Sequence, residues 1–261
     1  PQAAADVALG GPSRVSWYEA AGELLHVAIN LRLPELQAGE LRQALRYAVN
    51  YQTLPETMGG NAVSVGGYLP PLTTSFTQAR AISVQNQPRA QALIASMDLP
   101  PLTLLYLASD TKLAPVAGAL KRDWERIGLD ITVLAASPAE YAQQLSSGSF
   151  QLLLNSITAK FPDASSIFSP LFSDPMKGGV LNYAGYSSDS IGAMLFRAAA
   201  SRDPENRPLL FQTAEREILK VLPVIPLLAP HKAVVMNNNI QLLSFNPLHP
   251  ATLRADKMVR E

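Results

Sequence analysis

The apolar and polar positions along this chain fall into short runs of two periods. ELLHVAINLRL, residues 23–33, is a strand-like run stopped by Pro34. In GELRQALRYAVNYQTLPETMGG, Leu41, Leu45, Ala48 and Val49 recur at helical spacing with Ala44 beside them, which predicts an amphipathic helix. Asn50 and Pro55 mark its end region, and Gly59-Gly60 closes the unit. Residues 60–88 are rich in Gly, Pro, Thr and Ser and read as a long surface loop. PRAQALIASM, 88–97, reads as a short helix with Pro in its first turn.

From residue 102 strand and helix signals alternate. LTLLYLA (102–108) predicts a strand. A helix over 112–127 follows, with Asp110 or Thr111 as its cap and Leu113, Val116, Leu120, Trp124 and Ile127 on its apolar face. Gly128 stops it, and LDITVLA (129–135) is the next strand. Ser137 caps PAEYAQQLSS and Gly148 ends it. FQLLLNSI (150–157) is nearly all apolar, as in a sheet buried on both faces. This succession predicts a mainly parallel sheet with covering helices, an α/β fold.

Asp163 is placed to cap SSIFSPLF, and helices follow in SDSIGAMLFRAAAS and DPENRPLLFQTAEREILKVL. PVIPLLAPHKAVVM reads as two short strands. Proline on both sides of Val224-Ile225 suits an edge or a crossing segment better than a central strand. From Asn237 to Glu261 no strong period appears, and there is no internal repeat.

Composition narrows the possibilities. The 261 residues are 48% hydrophobic, enough for one large or two modest domains. Lys+Arg and Asp+Glu are both 21, so no net field favours nucleic acid or an anionic membrane. With no cysteine, disulfides, thiol catalysis and Cys-ligated metals are excluded. No apolar run approaches the ~20 residues that span a bilayer. No signal-peptide pattern occurs, and PQAAADVALGG reads as the middle of something longer.

Catalytic chemistry has little support. Ser109-Asp110-Thr111-Lys112 matches a Ser-x-x-Lys pattern in which Lys would activate Ser one helical turn away. Its partner motifs are missing: there is no Ser-Asp-Asn, and Lys177-Gly178-Gly179 is not Lys-Thr-Gly. A helix cap followed by a solvated lysine is the simpler reading. His26, His231 and His249 have no metal spacing and read as edge or surface histidines. No phosphate loop or dinucleotide fingerprint occurs, and neither an enzyme nor a cofactor or metal is expected.

Several blocks, in order, resemble the family 5 extracellular solute-binding proteins of ABC importers, the relatives of oligopeptide-, dipeptide- and nickel-binding proteins. They are LRQALRYAVNYQTL, GGYLPP, the stretch from LTLLYLASD to SSIFSPLF, and NYAGYSSDSIGAMLFRAAASRDPENRPLLFQTAEREILKVLPVIPLL. The resemblance runs from about residue 24 nearly to the end. It implies the type II periplasmic-binding architecture, mainly one lobe (lobe III) with remnants of lobe I. In that division residues 1–33 hold a remnant of lobe I and the first hinge crossing, 34–225 form lobe III, and 226–261 hold the second crossing and the return to lobe I. It further implies capture of a peptide or small solute outside the cytoplasmic membrane by a monomer, and delivery to an ABC permease. The family's signal peptide or lipid anchor would lie upstream of residue 1. The rival is a scaffold or sensor module that kept the lobe and lost the ligand; a cleft face without polar groups near Lys160 would favour it.

In peptide-binding members the loop after the strand 150–157 reads Trp-x-x-Asp, and the Asp pairs with the peptide's amino group. The matching residues here are Ile157-Thr158-Ala159-Lys160, so a cation replaces the carboxylate. Lysine repels an ammonium and cannot accept its hydrogen bond, which favours a ligand with an anionic or carbonyl-rich group. Alternatively Lys160 points to solvent or pairs with Asp163. The family also often has Asp at the position of Gln151 and usually Asp at that of Asn50. Asn182 and Tyr183 lie where the family faces its cleft; a loop closed by Asn side-chain bonds is the alternative. Tyr68 and Phe161 are further ligand candidates, with ordinary packing as the alternative for each. Arg207 is expected to form a structural salt bridge.

Overall fold

The structure is a computed structural model that describes residues 13–18, 22–71, 73, 75, 84–174, 179–242 and 258–260. The stretch 1–11, Lys177-Gly178, His249 and most of the tail after residue 242 lie outside the described residues. The strands are β1 (Ser13–Tyr18), β2 (Glu23–Ile29), β3 (Ala62–Ser64), β4 (Leu102–Leu107), β5 (Ile131–Ala136), β6 (Leu152–Thr158), β7 (Val224–Pro230), β8 (Lys232–Asn237), β9 (Ile240–Leu242) and β10 (Met258–Arg260). The α-helices are α1 (Gly39–Ala48), α2 (Gln87–Ile94), α3 (Leu113–Glu125), α4 (Pro138–Ser147), α5 (Ser165–Phe172), α6 (Asp189–Ala200) and α7 (Asn206–Val221).

Six strands make one sheet in the order β3-β7-β2-β6-β4-β5. Strand β4 runs parallel to both β5 and β6, as the strand–helix alternation predicts. The other half is antiparallel: β2 pairs with β6 and β7, and β3 pairs with β7. The expected mainly parallel sheet is therefore a mixed one. Its antiparallel half comes from segments far apart in the chain, which no local period records.

Strand β7 is also more central than its prolines suggest. It lies between β3 and β2 with all seven residues buried. Pro226 sits opposite His26, where the β2–β7 register shifts. The irregularity accommodates a residue without an N–H, and the Pro226 carbonyl accepts from the Tyr51 hydroxyl at 3.3 Å. The expected boundary at 33/34 leaves β2 outside lobe III and that at 225/226 cuts through β7, although both strands lie inside the sheet.

Apolar residues on both faces of the sheet bury it in two cores. One joins Val27, Leu104 and Leu154 to α1, α2 and α3, with Trp124 fully buried. The Trp124 indole N–H donates to the Leu45 carbonyl at 2.9 Å, anchoring α3 on α1. The other joins Leu24, Leu105 and Leu153 to α5, α6 and α7 through Phe168, Leu195 and Phe211. Residues 62–69 are not a surface loop throughout, since Val65, Tyr68 and Leu69 are buried.

The caps follow the sequence in part. Ser137 and Glu140 form a reciprocal capping box, and Gly148 ends α4 in the left-handed conformation. Neither Asp110 nor Thr111 caps α3 with its side chain; the Leu113 N–H is taken by the Asp110 carbonyl instead. Asp163 does serve α5, accepting from the Ser165 N–H at 2.9 Å and from its hydroxyl.

Candidate functional site

Strand β4 sends its chain into α3 on one face, whereas β6 sends its chain into α5 on the other. Neighbouring parallel strands whose connections part in this way leave a crevice beyond their carboxyl ends, the usual ligand position in open α/β sheets. Its rims here are residues 108–112 after β4 and 159–164 after β6. The starts of α3, α4 and α5 lie at the same end, as does the start of antiparallel β2, with Glu23 opposite Thr158.

The expected residues 157–161 occupy this end. Ile157 is buried and holds the strand in the core, while Thr158, Lys160 and Phe161 are exposed. Between them the Ala159 N–H donates to the Gly22 carbonyl at 2.6 Å, which ties the loop to β2. The Lys160 ammonium has no ion-pair partner among the described residues, because Asp163 is taken by Arg207 at 2.8 Å. That guanidinium grips both carboxylate oxygens and also donates to the carbonyls of Ala198, Ala199 and Ser201, so Arg207 has the structural role expected of it. Burial alone would raise the Asp163 pKa; the bonds from Arg207 and Ser165 outweigh it and hold the carboxyl at about 2.

Asn182, Tyr183 and Tyr68 stand elsewhere. The Leu31 N–H donates to the Ala184 carbonyl and the Arg32 guanidinium to that of Tyr183. This places the 182–186 loop beyond the far end of β2, near Gln151 rather than Thr158. Strand β2 has seven residues, so at ~3.3 Å per residue the two ends are about 20 Å apart. The buried Asn182 amide donates to the carbonyls of Ser173 and Tyr186 and accepts from the Tyr186 N–H, which closes its own loop. Tyr183 is half-buried beside it. Tyr68 is fully buried against Phe168 and Phe172. Its hydroxyl donates to the Val224 carbonyl at 2.9 Å, so it packs the core and presents no surface to a solute.

Other residues at the carboxyl end were not singled out for binding from sequence. The Glu23 carboxylate, 3% exposed, is held by Lys112 at 2.5 Å and Lys232 at 2.7 Å. Burial opposes its ionisation, but the pull of Lys112 and the bonds from both lysines keep its pKa below the ordinary value. Lys112 also lies 3.5 Å from Asp110. The same carboxylates outweigh its burial and raise its pKa. A lysine held protonated in this way cannot accept a serine proton, so the Ser109-x-x-Lys112 match is an ion-pair site. The pattern was visible in sequence; its partner Glu23 was hidden at the head of a distant strand.

The described histidines, His26 and His231, form no metal cluster either. His26 is 1% exposed in a central strand, so it is not the edge or surface residue expected. Burial, only partly offset by a contact with the Leu24 carbonyl, pushes its pKa down to about 4 and keeps it neutral. No group of three His, Asp or Glu among the described residues is arranged to hold a metal.

The fold is that of one lobe of a type II periplasmic-binding architecture. The chain belongs to the bacterial extracellular solute-binding proteins, family 5 Middle, whose profile matches residues 2–179. It is similar to a probable di/tripeptide-binding protein 5 of Pseudomonas aeruginosa, 24% identical over 226 residues that cover 85% of this chain and 43% of that one. Among solved structures it is similar to the ABC transporter substrate-binding protein CtaP of Listeria monocytogenes, with a TM-score of 0.85, 17% identity and coverage of 96% of this chain and 52% of that one. It is also similar to the periplasmic binding protein DppA of Helicobacter pylori in complex with the peptide STSA, with a TM-score of 0.82, 18% identity and coverage of 95% and 49%. The chain therefore spans less than half the length of that Pseudomonas relative and about half the length of these structures.

Proposed function

We propose that this chain forms one lobe of the substrate-binding component of an ABC importer. It captures a peptide or similar small solute outside the cytoplasmic membrane and delivers it to the permease. The second wall of the site comes from an opposing lobe, and closure of the two lobes removes water from the ligand. Family membership supports the binding role, and no helix of the described residues is long and apolar enough to cross a membrane. The observation that carries the site is Lys160, exposed and without an ion-pair partner among the described residues, on the loop after β6. Asp110, Lys112 and Thr158 lie at the same end, which weighs against a lobe that has lost its ligand.

Lys160 sets the ligand's chemistry in this reading. An ammonium opposite a ligand ammonium is repulsive, whereas a ligand carboxylate or carbonyl accepts its hydrogen bond. Thr158 adds a hydroxyl and Phe161 an apolar surface for the same ligand. The test is calorimetry on the two-lobed protein with a dipeptide and its N-acetyl derivative as probes. Wild type should prefer the N-acetyl form, and Lys160→Asp should reverse that preference. Lys160→Met should lose about 1.5–3 kcal/mol for the probe wild type prefers, the range for a hydrogen bond to a charged group. Equal binding by all three proteins would remove Lys160 from the site.

A further inference from the structure

The β1–β8 ribbon leaves the six-stranded sheet at a junction built by few residues. Strand β1 continues into β2, and β7 passes through His231 alone into β8. Strands β2 and β7 are neighbours in the sheet, and β1 and β8 pair antiparallel beyond it, with Tyr18 opposite Lys232. The same two chains are therefore paired on both sides of this junction, and on the β7 side only His231 separates the two strands. On the β7 side, the His231 N–H donates to the Asn61 carbonyl at 2.9 Å.

The Glu23–Lys232 ion pair spans this junction. Glu23 is the first residue of β2 and Lys232 the first of β8. The two carboxylate oxygens are divided: Oε1 meets Lys112 at the start of α3, and Oε2 meets Lys232 on the ribbon. Among the described residues this is the only side-chain hydrogen bond from β8 into the sheet. Val234 and Met236 are buried, yet they belong to neither core of the sheet. Among the described residues, apolar packing from those cores thus does not include β8. A directional contact at a shielded carboxylate does join β8 to the sheet.

We propose that Glu23 is a positioning residue that pins the ribbon to the sheet, with Lys112 fixing the carboxylate and Lys232 reading its position. The pin sets the angle at which the two crossing chains leave this lobe. Its functional consequence rests on the reading of the ribbon as the connection between two lobes: a stiffer pin means a narrower range of open states.

Hydrogen exchange on this chain tests the pin directly. Lys232→Met leaves Glu23 paired with Lys112 and so avoids an isolated buried charge. It should speed exchange of the β8 amides by about 10-fold, the lower range expected for loss of a charged hydrogen bond, and leave β4 and β5 unchanged. Unchanged β8 exchange, or an equal rise in β4 and β5, would overturn the proposal. The triple variant Glu23→Leu, Lys112→Met, Lys232→Met guards against a folding defect, since an apolar replacement of a buried ion cluster is often tolerated. It should keep β4 and β5 protected and still free β8; native β8 protection in it would also overturn the pin. The hinge reading is tested separately, by spin-label distances between the lobes of the two-lobed protein. A broader distribution in Lys232→Met supports both ideas. A loosened β8 with unchanged distances keeps the pin and discards the ribbon as the hinge.

Discussion

The two ends of the six-stranded sheet are closed by different chemistry. At the far end, the Asn30 amide donates to the carbonyls of Gly148 and Phe150, and the Asn182 amide to those of Ser173 and Tyr186. Both asparagines are buried, and their amide bonds seal strand ends and loops against each other, with the exposed Arg32 guanidinium donating to the Tyr183 carbonyl and to Asn30 Oδ1. At the carboxyl end the groups are charged: Glu23 with two lysines, Asp163 with Arg207, and Lys160 exposed. A buried amide network stabilises a closed loop, and the Arg32 guanidinium beside it is engaged with groups of that end. An exposed cation beside the starts of three helices attracts an anionic or carbonyl oxygen and contributes little to folding. Candidate residues chosen from family likeness thus divide by sheet end, Asn182 sealing its own loop at one end and Thr158, Lys160 and Phe161 exposed at the other, where we propose that the solute binds.

The largest expected effect is common to both ends. Trp124→Ala should cost about 3–5 kcal/mol in urea unfolding, because its ring fills the core beneath the sheet and its N–H holds α1. A loss under about 1 kcal/mol would show that α3 contributes little to the core on that face.

Next is the middle of the sheet, where acid should act before it reaches the charged end. His26 has its pKa depressed from 6.5 to about 4 by burial. The unfolded state then binds the extra proton, so this contribution is complete above about pH 6.5 and is lost as pH falls toward 4, a change of about 3 kcal/mol. His26→Leu should flatten the stability profile across that window. An unchanged slope in urea midpoints would assign it to other groups.

The sealing end should then separate from the proposed binding end. Asn182→Ala should cost roughly 2–3 kcal/mol, since it orphans two carbonyls and one N–H. Solute affinity of the folded two-lobed protein should stay within about twofold, because the loop lies about 20 Å from Thr158 along β2. A large affinity loss with intact stability would move the site toward Tyr183.

Asp163 gives a smaller effect at the charged end. Its pKa is lowered from 3.8 to about 2, chiefly by Arg207 against the effect of burial. The pair's contribution is present above about pH 4 and is lost as pH falls through 2. With the pair 23% exposed, the expected size is about 1–2 kcal/mol after solvent screening. Asp163→Asn should remove that acid dependence. The smallest stability effect belongs to Lys160→Met, within about 0.5 kcal/mol as for an exposed side chain. A substitution there that unfolds the protein would show that Lys160 holds its loop rather than a solute.

Local order determined much of this protein. The helical spacing of Leu41, Leu45 and Ala48, the caps at Ser137 and Gly148, and the apolar run of β6 are properties of a few neighbouring residues, and each was legible. So was the likeness of Ile157-Thr158-Ala159-Lys160 to a family loop, and with it the charge reversal at Lys160. Tertiary structure alone decided what depends on distant segments. Strands β2 and β7 meet across some 200 residues of chain, and long-range pairing leaves no local period. Glu23 acquired Lys112 and Lys232 by the same folding, 89 and 209 residues away. The register of β2 against β6 then put Lys160 and Asn182 at opposite ends of one sheet. Sequence likeness names residues one at a time, and only the packed sheet shows which of them stand together at one end.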